Sequence, residues 1–438
     1  MQIPVRTTRR AALLSATACA LVIASGAVVA TGADAAPSRA TSAWPVDLAT
    51  LTADDAGVRH SDGALRLDPS GGAGSAADAG TADAARAAGT AGHQEAAGQL
   101  VAEPVVLDSP VSVVAADVDA TAPAGTSVLV DVRGRLADQG PDSWTEWVPA
   151  GSRLPAPSAT VQARVTLLGA PDAGPAVRAV TLTSEAGRSR SLQEAEAADE
   201  ARAPTAGERT YRVFATREGL VGGTTANGHV ITSRDHFVAL PSRRGLSAKG
   251  SGSYSVRVCA PSTGRCAYAP VWDVGPWNTT DDYWNPSGTR QSWADLPQGR
   301  PEAQAAYQDG YNGGLDGFGR RVANPAGIDL GDGTFWDAVG LTDNAWTNVT
   351  YLWTGSGPRG VVRTSGGPLT VRSGPGTGAA AVGQAGNYAN VVIECTATGT
   401  TVTGTYGTSN VWNRIGPRNW VSDAYVNTGS SAPVASAC

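Results

Sequence analysis

Lysine is almost missing from this chain: Lys249 is the only one in 438 residues, and arginine carries the rest of the positive charge. Methionine occurs once, at position 1. With a net charge of −6 and no basic run, the chain lacks the concentrated cationic surface that phosphate backbones require, which argues against nucleic acid as a partner. After Ala30 no stretch approaches 18 uninterrupted apolar residues, so no membrane span is expected beyond the leader. No Ser-His-Asp order, Cys-His pairing, phosphate-cradling glycine loop or HExxH motif is found, which argues against acyl transfer and metal chemistry. No cofactor and no metal are expected.

The first residues have the pattern of an export signal. Arg6, Arg9 and Arg10 make a cationic start, Ala11 to Ala30 is apolar, and Ala33-Asp-Ala35 is a small-x-small cleavage site, giving a signal peptide over 1–35. Thr8-Arg-Arg-Ala-Ala-Leu-Leu14 resembles a twin-arginine signal, and the general secretory route stays equally open. Cys19 lies in the apolar stretch without a lipobox. Four cysteines remain for an oxidising compartment: Cys259, Cys266, Cys395 and Cys438. Cys259 and Cys266 bracket a short turn between strand-like runs, which suits a bridge across a hairpin, and leaves Cys438 to pair with Cys395. Their spacings fit no zinc finger.

Taken in order, residues 36–99 form a leader and low-complexity linker, with short strands expected at Gly57-Val-Arg59 and Gly63 to Leu67. From 100 to 183, runs such as Val111 to Val118, Ser127 to Arg133 and Val161 to Leu167 alternate apolar with polar residues between turns, the pattern of a β-sandwich. Trp144-Thr-Glu-Trp147 falls in this series, and its tryptophans suit core packing better than a sugar platform. The order resembles jelly-roll sandwiches fused to secreted actinobacterial hydrolases, which implies a carbohydrate-binding alternative. Residues 184–208 are charged and Ala-rich, and predict a solvated linker.

Between 209 and 354 several pieces stand in a telling order: Gly219 to Gly228 with Thr224-Thr-Ala-Asn-Gly, His236-Phe-Val-Ala-Leu-Pro241, Tyr254 to Val258, Trp272-Asp-Val-Gly-Pro276, and Gly327-Ile-Asp-Leu330 followed by Phe335 to Leu341. Together they resemble the double-psi β-barrel group, which includes the rare lipoprotein A septal lytic transglycosylases, expansins, barwins and related endoglucanases. Three departures stand out. His229 occupies the position of a family Glu, Val274 replaces an Arg after the catalytic-type Asp, and Trp277 to Ala326 replaces a short loop.

The chemistry of this region centres on Asp273. A carboxyl between Trp272 and Trp277 is partly desolvated, which raises its pKa and suits a general acid acting on a glycosidic oxygen. His236 would relay the proton, stabilise charge or hold the sugar, and His229 joins the binding residues. A lytic transglycosylase needs no water-activating base, because an intramolecular muramyl hydroxyl attacks. A hydrolase would need a second carboxyl roughly 6.5–9.5 Å away for inversion, and Asp281, Asp282 and Asp329 are the candidates. Asp329 also suits a structural hydrogen-bonding role. The long insertion holds many aromatics and one helix expected over Pro301 to Gln308. Most of its aromatics suit a small satellite core, while Trp277 and Trp284 are expected to face a cleft.

Pro368-Leu-Thr-Val-Arg-Ser-Gly-Pro375 and Trp420-Val-Ser-Asp-Ala-Tyr-Val426 resemble a bacterial SH3 domain over 360–428, with a tail at 429–438. Such modules are similar to ones that bind cell-wall peptides. The expectation is a mainly β, secreted, cell-wall-associated protein: a sandwich, a double-psi barrel and an SH3-like barrel. Its expected partner is peptidoglycan or another wall polysaccharide, cleaved by lytic transglycosylation. The alternative is a non-catalytic wall or carbohydrate binder, or a barrel proteinase inhibitor.

Overall fold

The structure is a computed structural model that describes residues 41–68, 96–170, 173–185 and 208–438. The signal peptide, the Ala/Gly-rich stretch around 71–95 and most of the charged segment expected at 184–208 lie outside the described residues. Among the described residues no helix is long and apolar enough to cross a membrane. The fold is mainly β, in three connected parts.

The first part is a sandwich of β1 (Thr41–Pro45), β2 (Val58–Ser61), β3 (Ala64–Leu67), β4 (Ala96–Val101), β5 (Val105–Thr121), β6 (Ser127–Gly134), β7 (Val148–Pro149), β8 (Arg153–Gly169) and β9 (Ala176–Glu185). Strand β5 serves both sheets. Its first half pairs with β8 and its second half, from Val114, with β9. Strands β1 and β3 also pair with β9, so residues 41–67, expected to be a leader, belong to the sandwich. Its core holds Leu65, Leu100, Val114, Val132, Val165, Leu167 and Val177.

The second part is a closed barrel of β10 (Arg209–Glu218), β11 (Val238–Leu240), β12 (Ser255–Ala260), β13 (Arg265–Val274), β14 (Ala326–Gly331) and β15 (Ala345–Tyr351). Around the wall, β10 pairs with β14, β14 with β11, β11 with β13, β13 with β12, β12 with β15, and β15 with β10. The β10–β14 and β11–β13 pairs are parallel, and the other four are antiparallel. Closure leaves no free edge, and the interior is filled by residues such as Val213, Val256, Val271, Ile328 and Val349. The insertion between β13 and β14 is mostly loop, with helix α1 (Glu302–Asp309) where the sequence predicts one.

The third part contains β16 (Arg359–Val362), β17 (Leu369–Arg372), β18 (Ala381–Ala385), β19 (Asn390–Val392), β20 (Cys395–Gly404), β21 (Gly407–Gly416), β22 (Asn419–Ser422) and β23 (Val426–Asn427). It is not an independent bead. Strand β18 pairs in parallel with β13, Cys266 opposite Gly383, so barrel and C-terminal part share a sheet. A Cβ at Gly383 would strike the Cys266 carbonyl, which is why glycine stands there. Tyr268 of β13 sits in the C-terminal core, its hydroxyl donating to the Ile415 carbonyl (2.9 Å).

Trp144-Thr-Glu-Trp147, read from its alternation as part of the strand series, is instead a loop wedged against the barrel. Both indoles are buried and stack on Arg133, whose guanidinium lies 4.4 Å from each ring centre. Between them Glu146 accepts from Trp284 Nε1 (2.5 Å), Asn285 Nδ2 (2.6 Å) and Trp353 Nε1 (3.3 Å). Tyr254 closes the seam by donating to the Thr145 carbonyl (2.6 Å).

Both expected disulfides are present, Cys259–Cys266 across the β12–β13 hairpin and Cys395–Cys438. They enclose sequence separations of 7 and 43 residues. Loop-closure entropy therefore predicts a loss of about 2–3 kcal/mol on opening the first and about 4 kcal/mol on opening the second. Denaturant unfolding of Cys259→Ser/Cys266→Ser and Cys395→Ser/Cys438→Ser proteins should rank them in that order. Glu146→Ala strands three buried donors and should lower stability by about 2–4 kcal/mol. A change under about 0.5 kcal/mol would show that the seam contributes little.

Candidate functional site

Three carboxyl side chains converge at one end of the barrel. Asp329 of β14 stands opposite Ala239 of β11, and Ala239 opposite Asp273 of β13, so both aspartates sit at one level of the wall. Glu218 ends β10, beside Gly331 in the parallel pairing with β14. Their exposures are 4% for Asp273, 1% for Glu218 and 0% for Asp329.

The three differ in what holds them. Asp273 Oδ1 accepts from the backbone N–H of Ala226 and of Val274, both at 2.8 Å. Burial raises its pKa above the ordinary aspartate value, while those N–H groups and the charge of Arg243 work the other way. Neither Glu218 oxygen has a partner in hydrogen-bond geometry. Burial first, and then the neighbouring Asp273 carboxylate, push the Glu218 pKa well above the usual glutamate range. Proximity, rather than a formed bond, ties these two groups together. Asp329 accepts from Thr216 Oγ1, and burial pushes its pKa up to about 7. Of the two, Glu218 is therefore displaced further from its ordinary range, and Asp273 is the better supported to carry negative charge.

The loop from Gly219 to Ile231 covers this end. Its base is closed by Gly222 N–H to Ile231 O and Ile231 N–H to Gly223 O, both 2.8 Å, and Asn227 N–H reaches the Trp272 carbonyl (3.1 Å). The Thr-Ala-Asn-Gly segment thus lies directly over Asp273, with Thr225 and Asn227 fully buried.

The other expected site residues are placed elsewhere. His229 turns outward from the carboxyls: its Nε2 meets Asp235 Oδ2 at 2.7 Å, and its ring packs on Trp272 at 4.6 Å. His236 is half-buried beside Gly333, where burial lowers its pKa to about 4, so it is neutral at pH 7. Asp235 and Asp337 are its charged neighbours, and it takes no part in holding Asp273. Trp284 is fully buried, stacked on Tyr351 and edge-on to Trp353, with its N–H spent on Glu146. Trp277 is buried against Ala303, Ala306, Val322 and Ala326, its N–H donated to Asn324 Oδ1 (3.1 Å). The expectation that these two indoles face a cleft is corrected: the insertion is long enough to need its own core, and they supply it and the sandwich seam. Asp281 and Asp282 are committed as well, to Arg290 (2.5 Å) and Arg244 (2.6 Å).

Sequence reasoning missed Glu218 and Arg243. Glu218 has a legible signal, since it stands at an inward position of an alternating strand, two residues after the buried Thr216. Arg243 has none: only the turn after Leu240 brings its charge to Asp273.

A family model for a domain of unknown function (DUF8814) matches residues 209–350, bounds that coincide with strands β10 to β15. The chain is also similar to two proteins of Bacillus subtilis (strain 168). The chain is 45% identical over 87 residues to the uncharacterized protein YraI, covering 72% of that protein and 18% of this chain. It is 43% identical over 86 residues to the uncharacterized protein YraJ, covering 73% of that protein. The chain belongs to the YraI/YraJ family. Family membership rests on under a fifth of the chain.

The sign of the pH dependence follows from Asp329. Its proton is held more tightly in the folded state than in the unfolded chain, so its contribution to stability is complete below about pH 4. It is lost as pH rises through about 7. Asp329→Asn, a neutral isostere, should flatten that decline. Melting temperatures taken from pH 4 to 8 will show it, and an unchanged slope would mean that Asp329 is ionised in the folded protein.

Proposed function

We propose that this is an exported, cell-wall-associated protein whose barrel, of the double-psi type, cleaves peptidoglycan glycan strands by transglycosylation. Its C-terminal SH3-like part would hold it on the wall. The observation that carries this reading is the buried pair of Glu218 and Asp273, one carboxyl without a cation or N–H and one with three favourable partners. Environments that push two carboxyls apart in this way assign acid and base.

Glu218, rather than Asp273, is then the proton donor to the glycosidic oxygen. As the bond from C1 to that oxygen breaks, Asp273 stabilises the positive charge developing on the sugar. The muramyl hydroxyl attacks C1, and its proton passes to the carboxylate side of the pair, so no water enters the balance. Transglycosylation needs no second carboxyl set roughly 6.5–9.5 Å away to activate water, as an inverting hydrolase does, and the proximity of Glu218 to Asp273 suits it. Arg243 takes the place of the arginine absent at Val274 in favouring the Asp273 anion. Substrate entry requires the 219–231 loop to lift, because the pair is covered.

That covering favours a second reading, a wall-binding protein without chemistry in which the carboxyls only fix the loop. Incubation with peptidoglycan sacculi separates the two. The first reading expects anhydromuropeptides, at least a ~10²-fold loss in Glu218→Gln and in Asp273→Asn, and near-native activity in His236→Ala. It also expects a rate that falls on the alkaline side, as the raised Glu218 pKa is passed. Wild-type protein that pellets with sacculi but releases nothing establishes the second reading. Full activity in Glu218→Gln defeats the assignment of the donor.

A further inference from the structure

The sandwich holds a cavity of about 250 Å³ between its two sheets. Val161 and Ala163 of β8 form one wall and Trp44 of β1 and Leu182 of β9 the other, while Leu100 and Val105 close it from the β4–β5 corner. The residues of β8 explain the room. Its core-facing row is Val161, Ala163, Val165 and Leu167, and Ala163 is the one small side chain among them. A methyl where the neighbours carry branched groups leaves space that a close-packed interior would fill.

The polar residues of the lining are Asp47, Thr50, Thr52 and Glu103, and all four are exposed, so they mark its opening. Asp47 Oδ1 accepts from the backbone N–H of Ala49 (2.9 Å) and of Thr50 (3.1 Å), which fixes that carboxylate at the mouth. The Thr50 hydroxyl, and then those N–H groups, hold its pKa below the usual carboxylate range. The charge of Glu103 is felt beyond the mouth: burial first, and then Asp55 and Glu103, raise the pKa of Asp54. His60 acts on Asp47 and Arg133 on Asp54, but both stand outside the lining. Among the described residues that line the cavity none is basic. An apolar interior thus opens through a negative mouth.

We propose that this cavity binds a small amphipathic amine, with its ring or alkyl body between the sheets and its ammonium at Asp47 and Glu103. Hydrocarbon walls behind carboxylates match both ends of such a molecule. An anion of the same size would meet two like charges. A sugar would bury hydroxyls against Val161, Leu182 and Leu100, where they find no partner. A cavity of about 150 Å³ accommodates benzene, so this one suits a body of about six to eight carbons. A lysine stem is too short to fill it, which favours a free small molecule over a protein side chain. The inference goes beyond the proposed function and depends neither on the Glu218–Asp273 chemistry nor on how the protein is held at the wall.

Calorimetric titration of the full chain with phenethylamine, phenethyl alcohol and phenylpropionate tests it. The amine should bind saturably, the alcohol about tenfold more weakly, and the acid more weakly still. Raising the salt to about 0.5 M should weaken the amine and leave the alcohol unchanged. Replacing both carboxylates, Asp47→Asn with Glu103→Gln, alters exposed positions only and should bring the amine down to the affinity of the alcohol. Ala163→Leu fills the cavity and should abolish binding of both, with the melting curve as the folding control. If that variant does not fold, the smaller Ala163→Val should still weaken amine and alcohol alike. Butylamine, standing in for a lysine stem, should bind less tightly than phenethylamine. Absence of saturable amine binding, equal affinity for amine and alcohol, or wild-type amine affinity in the folded carboxylate or Ala163 variants would overturn the proposal. Tighter binding of butylamine than of phenethylamine would overturn it in favour of a peptide cation.

Discussion

Strand β13 carries more obligations than any other element. It pairs with β12 through the disulfide-bridged hairpin, with β11 to close the barrel, and with β18 to join the C-terminal part. Within ten residues it places Cys266 at the bridge, Tyr268 in the C-terminal core, Trp272 under His229, and Asp273 at the barrel end. A strand with partners on both edges cannot slip by one residue without turning all these side chains to the opposite face. The position of Asp273 is therefore fixed by the same pairing that holds two parts of the molecule together.

Around that strand the seams are unusually polar for buried surfaces. Glu146 collects two indole N–H groups and an amide. Asp142 accepts from Ser251 (2.9 Å) and Ser253 (2.7 Å) of the barrel, while its carbonyl receives Asn390 Nδ2 of the C-terminal part (2.9 Å). One loop of the sandwich thus touches both other parts. Such contacts are directional, and they set orientation where hydrophobic burial alone would permit sliding. The consequence for function is a rigid frame, with the carboxyl site and the sandwich cavity at fixed places on it.

The carboxyl site shows how environment divides chemically similar groups. Asp273, Glu218 and Asp329 are all buried, yet one is held by N–H groups and a nearby arginine, one by nothing, and one by a threonine hydroxyl. Desolvation acts on all three in the same direction, and the partners decide which carries the charge. Without Arg243 or the Ala226 N–H, the reason for Asp273 rather than Glu218 to ionise would weaken.

Alternation of apolar and polar residues was enough to predict a mainly β chain, and cysteine spacing was enough to predict both bridges, because these depend on neighbours in sequence or on a small number of partners. The helix over 302–309 was legible for the same reason. Alternation did not show that Trp144-Thr-Glu-Trp147, whose buried indoles stand three residues apart, forms a wedge between parts. It was silent on which tryptophans are covered, since an indole beside a carboxyl in sequence looks alike whether it faces solvent or packs on an insertion. Asp273 was visible from its local motif. Glu218, 55 positions earlier, became its partner only when β10 and β13 closed into one barrel, and a contact between residues far apart in sequence is decided by the register of strands rather than by either residue's neighbours.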